Sequence, residues 1–273
     1  MGIKKPFVSE IAKDTYAINE FGLTAMYLII GEEKALLLDT GCGVCDLKEL
    51  VSELTDKPVM VALTHGHLDH AGGIGAFDEI WLGEEDYEMA KNCDFDALKN
   101  YADNLGKQGS YDVYDYSLDM IDKHAFTTPP VMHPLKDGDV IDLGGRQLLV
   151  IHIPGHTPGG MCFLEDATRI LFSGDACNTN LLGAGTSVTE TYNALKYLDT
   201  FSGRYDQMWN GHVGYTGAPY CQSQPKTTLP DLLHICETIL DGTAQPIEFD
   251  FLGRKMCAVE YGVSRLSYNP ENL

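Results

Sequence analysis

The chain has 273 residues and a formal net charge of −21. Its length accommodates a full hydrophobic core in one large domain, and a negative charge of that size repels nucleic-acid phosphates and argues against a nuclease. Because the sequence has neither an apolar run of about 18 residues nor the apolar core of a secretion signal, we expect a cytoplasmic protein without membrane association.

Both halves of the chain alternate short apolar runs with helical patterns. Apolar runs bounded by turn residues predict strands, and apolar residues at spacings of three and four predict helices. The elements predicted in chain order are strands at 24–30, 34–38, 59–63 and 80–82 with a helix at 46–54, then strands at 140–143, 146–153, 161–164, 169–172 and 207–209 with helices at 187–201 and 229–240, and a last strand at 255–259. Two such halves favour an α/β fold in which two sheets pack face to face with helices outside.

Residues 84–135 interrupt this order and are predicted as an insertion. From Glu84 to His124 the chain carries 11 carboxylates, 4 lysines and several tyrosines. Two interpretations stay open: a solvated surface segment, or a lid whose aromatic side chains frame the substrate. We predict a single domain over 1–273 that contains this insertion, with 216–273 supplying a C-terminal helix and the last strand.

The segment His65-Gly66-His67-Leu68-Asp69-His70 is the strongest functional signal in the sequence. Residues two apart in an extended segment point the same way, so His65 and His67 can reach one cation together. Asp69 and His70 follow at once, and a bend in the chain would let them face a second point beside the first. This spacing predicts a metal site.

The backbone around this segment is expected to turn tightly. Gly66 and Gly72 lack a Cβ atom where the chain bends or approaches a ligand closely. The residues Ala71-Gly72-Gly73-Ile74 are predicted as the opening turn of a helix.

Three further ligand candidates each follow a strand-like run and lie in a glycine-containing turn. They are His156 in Pro154–Gly159, Asp175 after Ser173-Gly174, and His212 after Asn210-Gly211. Loops at strand ends commonly carry functional sites. With the first segment they make five histidines and two aspartates, enough to hold two divalent metal ions. This mixed donor set suits zinc, which we prefer, and also iron or manganese.

The eight cysteines are scattered along the chain. Because their spacing is irregular and the chain does not look secreted, free buried thiols are expected rather than disulfides. Cys42 and Cys45 form a single CxxC. Packing at the start of a helix is favoured over a redox or zinc role, since no second CxxC completes a structural zinc site.

These motifs, in this order, resemble those of the metallo-β-lactamase-fold hydrolase superfamily. The matching segments are Leu37–Gly41, His65–His70, Pro154–Gly159, Phe172–Asp175 and Gly211-His212. The resemblance implies a four-layer αβ/βα sandwich with the metals at one edge. It also implies a role for each candidate: His65, His67 and His156 on one metal, Asp69, His70 and His212 on the other, Asp175 bridging the two, and Asp39 holding a ligand or loop in place from outside the coordination shell.

We predict a metal-dependent hydrolase of a small-molecule ester, lactone or thioester, in which a hydroxide shared by the metals attacks the carbonyl carbon. The catalytic candidates are Asp69, which would handle protons, the bridging Asp175, and Tyr215, which would donate to the oxyanion. An insertion tyrosine is the alternative donor. The expected partner is a small-molecule substrate, and a homodimer is the assembly that we consider.

Three alternatives stay open: a mononuclear-iron oxidoreductase like the persulfide dioxygenases, a phosphodiesterase, and a non-catalytic binding protein. Two positions narrow the hydrolase class. In true β-lactamases the position of Asp175 is not a bridging aspartate, which disfavours antibiotic hydrolysis. Asn178 stands where acyl-homoserine lactonases place a tyrosine.

Overall fold

The computed structural model describes residues 2, 4–92, 94–121, 128–183, 185–213, 221–251 and 253–273. The chain divides into two compact units. Unit 1 contains Met1–Leu135, Val140–Gln147 and Gly211–Gln222, and unit 2 contains Lys136–Asp139, Leu148–Asn210 and Ser223–Leu273. No helix in the described part of the chain combines the length and hydropathy that a bilayer crossing requires.

Unit 1 is built on a sheet in which seven described strands lie in chain order. The strands are β1 (Phe7–Ala12), β2 (Thr15–Glu20), β3 (Thr24–Ile30), β4 (Ala35–Leu38), β5 (Val59–Ala62), β6 (Glu79–Gly83) and β7 (Val131–Leu135). β1 to β4 pair in antiparallel fashion, whereas β4 to β7 are parallel neighbours. The carboxyl ends of β4 and β5 therefore meet at one edge of the sheet. A short strand, β8 (Val140–Asp142), also belongs to this unit.

The helices of unit 1 lie in the connections between these strands. They are α1 (Leu47–Leu54), α2 (Leu68–Ala71), α3 (Tyr87–Lys91), α4 (Phe95–Leu105) and α5 (Tyr111–Val113). α1 begins at Asp46, whose side chain accepts a hydrogen bond from the Glu49 backbone N–H at 2.9 Å and so satisfies a donor of the first turn. Its apolar face packs with Leu37 and Val61 of the sheet in one buried cluster.

Unit 2 holds a sheet with the neighbouring strands β13, β11, β10 and β9, and a second sheet with the order β12, β16, β15, β14. Its elements are β9 (Gln147–His152), β10 (Met161–Glu165), β11 (Ile170–Gly174), β12 (Asn180–Gly183), α6 (Val188–Asp199), β13 (Gln207–Asn210), α7 (Thr228–Leu240), β14 (Ile247–Phe251), β15 (Arg254–Tyr261) and β16 (Ser264–Tyr268). α6 starts with a capping box formed by Ser187 and Glu190. Leu195 of α6 and Ile235 of α7 are fully buried in the core of this unit.

The structure confirms the mixed α/β composition and most of the predicted elements, including the helix at 46–54 that Asp46 caps. The N-terminal strands β1 and β2 are not predicted from the sequence. β1 is only partly buried and carries polar residues, so its apolar pattern is weak. The predicted strand at 255–259 is not the last one, since β16 follows it and its polar residues obscure the pattern.

Two further predictions differ from the structure. Residues 131–135, inside the predicted insertion, form β7 and pair in parallel with β6. The helix expected to open at 71–74 begins earlier, at Leu68, with His67 as its N-cap residue. Cys162, Cys177 and Cys236 are free buried thiols, as predicted.

Candidate metal centre

The loop that follows β5 brings His65 and His67 together. His65 Nε2 lies 3.1 Å from His67 Nδ1. His65 is buried and His67 is partly exposed, so the pair lies at the boundary of the protein interior. The extended backbone of the segment explains the contact, since side chains two residues apart project to the same side.

Asp39, the residue after β4, fixes the orientation of the loop. Its Oδ1 accepts a hydrogen bond from the Thr64 backbone N–H at 2.7 Å, and its Oδ2 accepts one from the Thr64 hydroxyl at 2.9 Å. His70 Nδ1 lies 2.9 Å from the same Oδ2. A carboxylate can only accept, so the Nδ1 of His70 carries the proton and its Nε2 keeps the lone pair that a metal needs.

The same reasoning extends to His65. Its Nδ1 lies 3.1 Å from Thr64 Oγ1, and the hydroxyl proton of Thr64 is already donated to Asp39. Thr64 therefore accepts from His65, which leaves the lone pair of His65 on Nε2, the nitrogen that faces His67. Asp39 orients His70 directly and His65 through Thr64.

A second group of ligand candidates consists of Asp69 and His70 on α2 together with His212. Their ligand atoms all lie within 4.8 Å of one another. Asp69 Oδ2 is 3.8 Å from His70 Nε2 and 3.7 Å from His212 Nε2. His212 is positioned by its neighbour Gly211, whose carbonyl accepts hydrogen bonds from the Thr24 hydroxyl at 2.8 Å and from the Ala25 N–H at 2.9 Å.

The donor set and its spacing fit a divalent cation. Two nitrogen ligands at about 2.0–2.1 Å from a tetrahedral zinc ion lie about 3.4 Å apart. The separations of 3.1, 3.7 and 3.8 Å in unit 1 bracket that value. Zinc, iron and manganese commonly bind imidazoles and carboxylates. Such ligands are oriented by hydrogen bonds between their atoms that do not bind the metal and the surrounding protein.

Unit 2 brings together the other two predicted ligands. His156 Nε2 lies 3.6 Å from Asp175 Oδ2, and both side chains are less than a tenth exposed. His156 Nδ1 lies 2.9 Å from the carbonyl oxygen of Leu182, which can only accept. The proton of His156 is therefore on Nδ1, and Nε2 carries the lone pair on the side of Asp175. His152, at the end of β9, hydrogen-bonds the carbonyl of Pro158 at 2.8 Å and is not a proposed ligand.

Gly66 and Gly72 lie where the backbone approaches other backbone closely, as the sequence predicts. A Cβ atom on Gly66 would lie 2.7 Å from the carbonyl oxygen of Asp86. A Cβ atom on Gly72 would lie 2.6 Å from the carbonyl carbon of Cys42. Both distances are too short for a real side chain, so the ligand-bearing loop can pack here only with glycine.

Three contacts in unit 1 are not evident from the sequence. The fully buried Asp86 accepts a hydrogen bond from the Gly66 N–H at 3.0 Å. The hydroxyl of Tyr101, on α4, donates to Asp69 Oδ2 at 2.8 Å. Glu20, at the end of β2, binds the loop around Cys42. Asp86 and Tyr101 lie among other acidic residues and Glu20 ends an apolar strand, so none of them gives a local signal of its contact.

Glu20 is completely buried, and its carboxylate accepts hydrogen bonds from the backbone N–H groups of Cys42 at 2.6 Å and Val44 at 2.8 Å. Burial raises the pKa of Glu20 to about 7, although these hydrogen bonds act in the opposite direction. Burial, together with the charge of Glu20, raises the pKa of the Cys45 thiol well above its usual value. A thiol held protonated in this way is a poor metal ligand or nucleophile, which favours the packing role for Cys45.

The predicted oxyanion donor, Tyr215, lies outside the described residues. Its proposed role therefore stays a prediction.

The comparison with protein families agrees with this site. The model of the Metallo-beta-lactamase superfamily matches residues 19–204. The chain belongs to the metallo-β-lactamase superfamily, and the resemblance of the motifs is confirmed. A solved metallo-beta-lactamase from Pontibacter korlensis has the same fold: the TM-score is 0.58 at 18% identity, and the match covers 85% of this chain and 99% of that one.

Two curated relatives are more similar in sequence. The human acyl-coenzyme A thioesterase MBLAC2 is 30% identical over 166 residues, which is 55% of this chain and 57% of that protein. The atrochrysone carboxyl ACP thioesterase dmxR1 from Cryptosporiopsis sp. is 30% identical over 189 residues, which is 68% of this chain and 45% of that protein. The chain spans about half the length of these curated relatives.

Proposed function

We propose that the protein is a metal-dependent hydrolase whose substrate is a small-molecule acyl thioester. The observation that carries the proposal is the group of Asp69, His70 and His212, whose ligand atoms lie within 4.8 Å of one another. Asp39 holds His70 in the tautomer that a metal requires. A protein that only packs these side chains has no need for that arrangement of donors.

The proposed centre contains two divalent ions, with zinc as the preferred metal. His65, His67 and His156 would hold one ion, Asp69, His70 and His212 the other, and Asp175 would contact both. Membership of the metallo-β-lactamase superfamily supports this assignment. The orientation of each ligand supports it too, since His65, His70 and His156 each keep a lone pair on Nε2.

When bound, the ions would supply Lewis acidity that polarises the carbonyl and lowers the pKa of water to about 7. The residues of the chain would orient the ligands and accept the proton. Asp39 and Thr64 orient His65 and His70 and hold the Nε2 lone pair of each imidazole towards the site. Asp69 accepts a hydrogen bond from the Tyr101 hydroxyl at 2.8 Å and is the side chain proposed to accept a proton from the attacking water.

The choice of a thioester follows from the relatives. MBLAC2 and dmxR1 both carry the name thioesterase, one for acyl-coenzyme A and the other for an acyl carrier protein. A thioester also suits the chemistry, because a thiolate is a better leaving group than an alkoxide. An ester or a lactone is the substrate class that we rank next.

The test compares one acyl-coenzyme A thioester with p-nitrophenyl acetate, a lactone and bis-p-nitrophenyl phosphate, using protein whose metals have been counted by mass spectrometry. We expect the thioester to give the highest kcat/KM, and activity to disappear on chelation and return with zinc. His67→Ala is expected to reduce turnover by more than about 100-fold, because loss of a ligand exceeds the 10–100-fold effect of an outer partner.

His133→Ala is the matched control, since His133 stacks on Trp81 and is not a proposed ligand. It is expected to keep wild-type turnover. Hydrolysis of the phosphodiester alone would replace the proposal by a phosphodiesterase. One iron per chain together with consumption of oxygen would replace it by the mononuclear-iron alternative.

A further inference from the structure

The hydroxyl of Tyr101 donates a hydrogen bond to Asp69 Oδ2 at 2.8 Å. The same oxygen faces His212 Nε2 at 3.7 Å and His70 Nε2 at 3.8 Å. We propose that Tyr101 is a positioning residue that fixes the orientation of the Asp69 carboxylate for metal binding. The acidic insertion, which carries Tyr101, then contributes directly to the metal centre. This inference rests on the proposed function, in which Asp69 is a metal ligand.

The helix that carries Tyr101 is anchored by its buried face. α4 begins at Asp94, whose side chain accepts hydrogen bonds from the N–H groups of Asp96 at 2.9 Å and Ala97 at 3.0 Å. Leu98 and Ala102, four residues apart on one face of α4, are fully buried. They belong to an apolar cluster with residues of two other loops, which are Phe21, Leu23, Cys42 and Val44.

The chain after α4 is tied to the same cluster. The ring of Phe21 stacks on Tyr116 with centroids 5.0 Å apart, and it meets Tyr114 edge-on at 5.8 Å. Asn19 Nδ2 donates to the Tyr114 hydroxyl at 3.2 Å, and Ser110 Oγ donates to the Phe21 carbonyl. The buried face of α4 and the segment that follows it are therefore held, and the position of the Tyr101 hydroxyl is set by packing that is independent of any metal.

The hydrogen bond restricts the Asp69 side chain in a specific way. The Asp69 carboxylate can rotate and present either oxygen to a metal. Each rotation would move the metal-binding oxygen, Oδ2, away from His70 and His212. A carboxylate oxygen has two lone pairs, so Oδ2 can accept from Tyr101 and still face a cation with the other. Partners of this kind typically change metal affinity or activity by about 10–100-fold when they are removed.

The matched pair of variants is Tyr101→Phe and Tyr111→Phe. Each removes one hydroxyl and keeps the ring, and each hydroxyl donates to an aspartate, because Tyr111 lies 3.2 Å from Asp103 Oδ1. Asp103 is not a proposed ligand. Zinc affinity is measured by titrating metal-free protein against a chelating indicator, and circular dichroism monitors the fold.

We expect Tyr101→Phe to weaken zinc binding by about 10–100-fold, and Tyr111→Phe to leave it unchanged within about twofold. With saturating zinc, the KM for the thioester is expected to stay at its wild-type value in both variants. Equal zinc affinity in wild type and Tyr101→Phe overturns the inference. So does a raised KM with unchanged zinc affinity, which would mean that the hydroxyl contacts the substrate instead.

A double-mutant cycle with Asp69→Asn separates an effect through Asp69 from any other effect. Tyr101→Phe should lose its effect on zinc affinity in the Asp69→Asn background, and an equal loss in both backgrounds contradicts positioning. Failure of the proposed function looks different, because wild-type protein would then bind no zinc or hydrolyse no thioester whatever stands at position 101.

Discussion

Asp39 Oδ2 lies 2.9 Å from His70 Nδ1, and both side chains are almost completely buried. The same oxygen accepts the hydroxyl proton of Thr64, which in turn accepts from His65. One carboxylate thus sets the tautomers of two imidazoles that are proposed to bind different ions. Asp39 also has a φ of 65°, a left-handed conformation that aspartate adopts more readily than most residues.

Replacement of Asp39 by asparagine should weaken the metal centre without changing a ligand. Asp39 Oδ1 accepts from the Thr64 N–H, and Oδ2 faces the Thr64 hydroxyl and His70 Nδ1. The N–H₂ group of an asparagine would replace one of these oxygens and could not accept from the donors that face it. We expect metal affinity to fall by about 10–100-fold. Competition with a chelator measures the effect, and the exposed Asp142→Asn serves as the control. Equal affinity in Asp39→Asn and wild type would argue against this network.

The close approach at Gly72 predicts a cost for a single methyl group. In Gly72→Ala the Cβ atom would lie 2.6 Å from the Cys42 carbonyl carbon, so the backbone has to move. We expect a loss of about 1–3 kcal/mol in the free energy of unfolding, as for other overpacked sites. Denaturant unfolding measures it. Gly203→Ala is the control, because a Cβ atom there meets no atom within 4 Å; the same loss in both variants would refute the packing explanation.

Glu20 predicts a pH dependence of stability. Burial raises its pKa to about 7 in the folded protein, against an ordinary value of 4.5, so the folded state binds more protons between these values. The free energy of unfolding should therefore fall as the pH rises from about 4.5 through 7, by up to about 3 kcal/mol from this group. Glu20→Gln removes that contribution.

Unfolding of metal-free wild type and Glu20→Gln at pH 5, 6, 7 and 8 tests this prediction. Titration of the histidines is common to both proteins and cancels in the difference. The advantage of wild type over the variant should shrink as the pH rises, whereas the exposed Glu248→Gln should follow wild type at every pH. Parallel curves for wild type and Glu20→Gln would show that burial does not raise the pKa of Glu20.

Local spacing accounts for what the sequence predicts well. His65 and His67 are two residues apart on extended backbone, and their contact at 3.1 Å follows from that geometry. Tyr101 and Asp69 are 32 residues apart, and their contact depends on how α4 docks on an apolar cluster. Glu20 likewise reaches Cys42 only through the pairing of β2 within the sheet. Such contacts depend on tertiary packing, and no local sequence pattern predicts them.

The strands that the sequence leaves out have a related explanation. β1 carries partly exposed and polar residues, so the apolar contrast of a strand is weak. β16 carries polar Ser264 and Ser267 beside apolar residues, yet both serines are buried. The hydroxyl of Ser264 donates to the Thr228 carbonyl on α7 at 3.3 Å. The glycine and metal motifs were predictable, whereas β1 and β16 are defined by pairing with neighbouring strands.

The central proposal is that the predicted histidine and aspartate ligands hold two metal ions. The most direct measurement is anomalous diffraction at the zinc absorption edge from crystals of zinc-loaded protein. We expect two peaks, one within coordinating distance of His65, His67 and His156 and one within that distance of Asp69, His70 and His212, with Asp175 reaching both. A zinc-loaded crystal without a peak at either set of ligands would contradict the account.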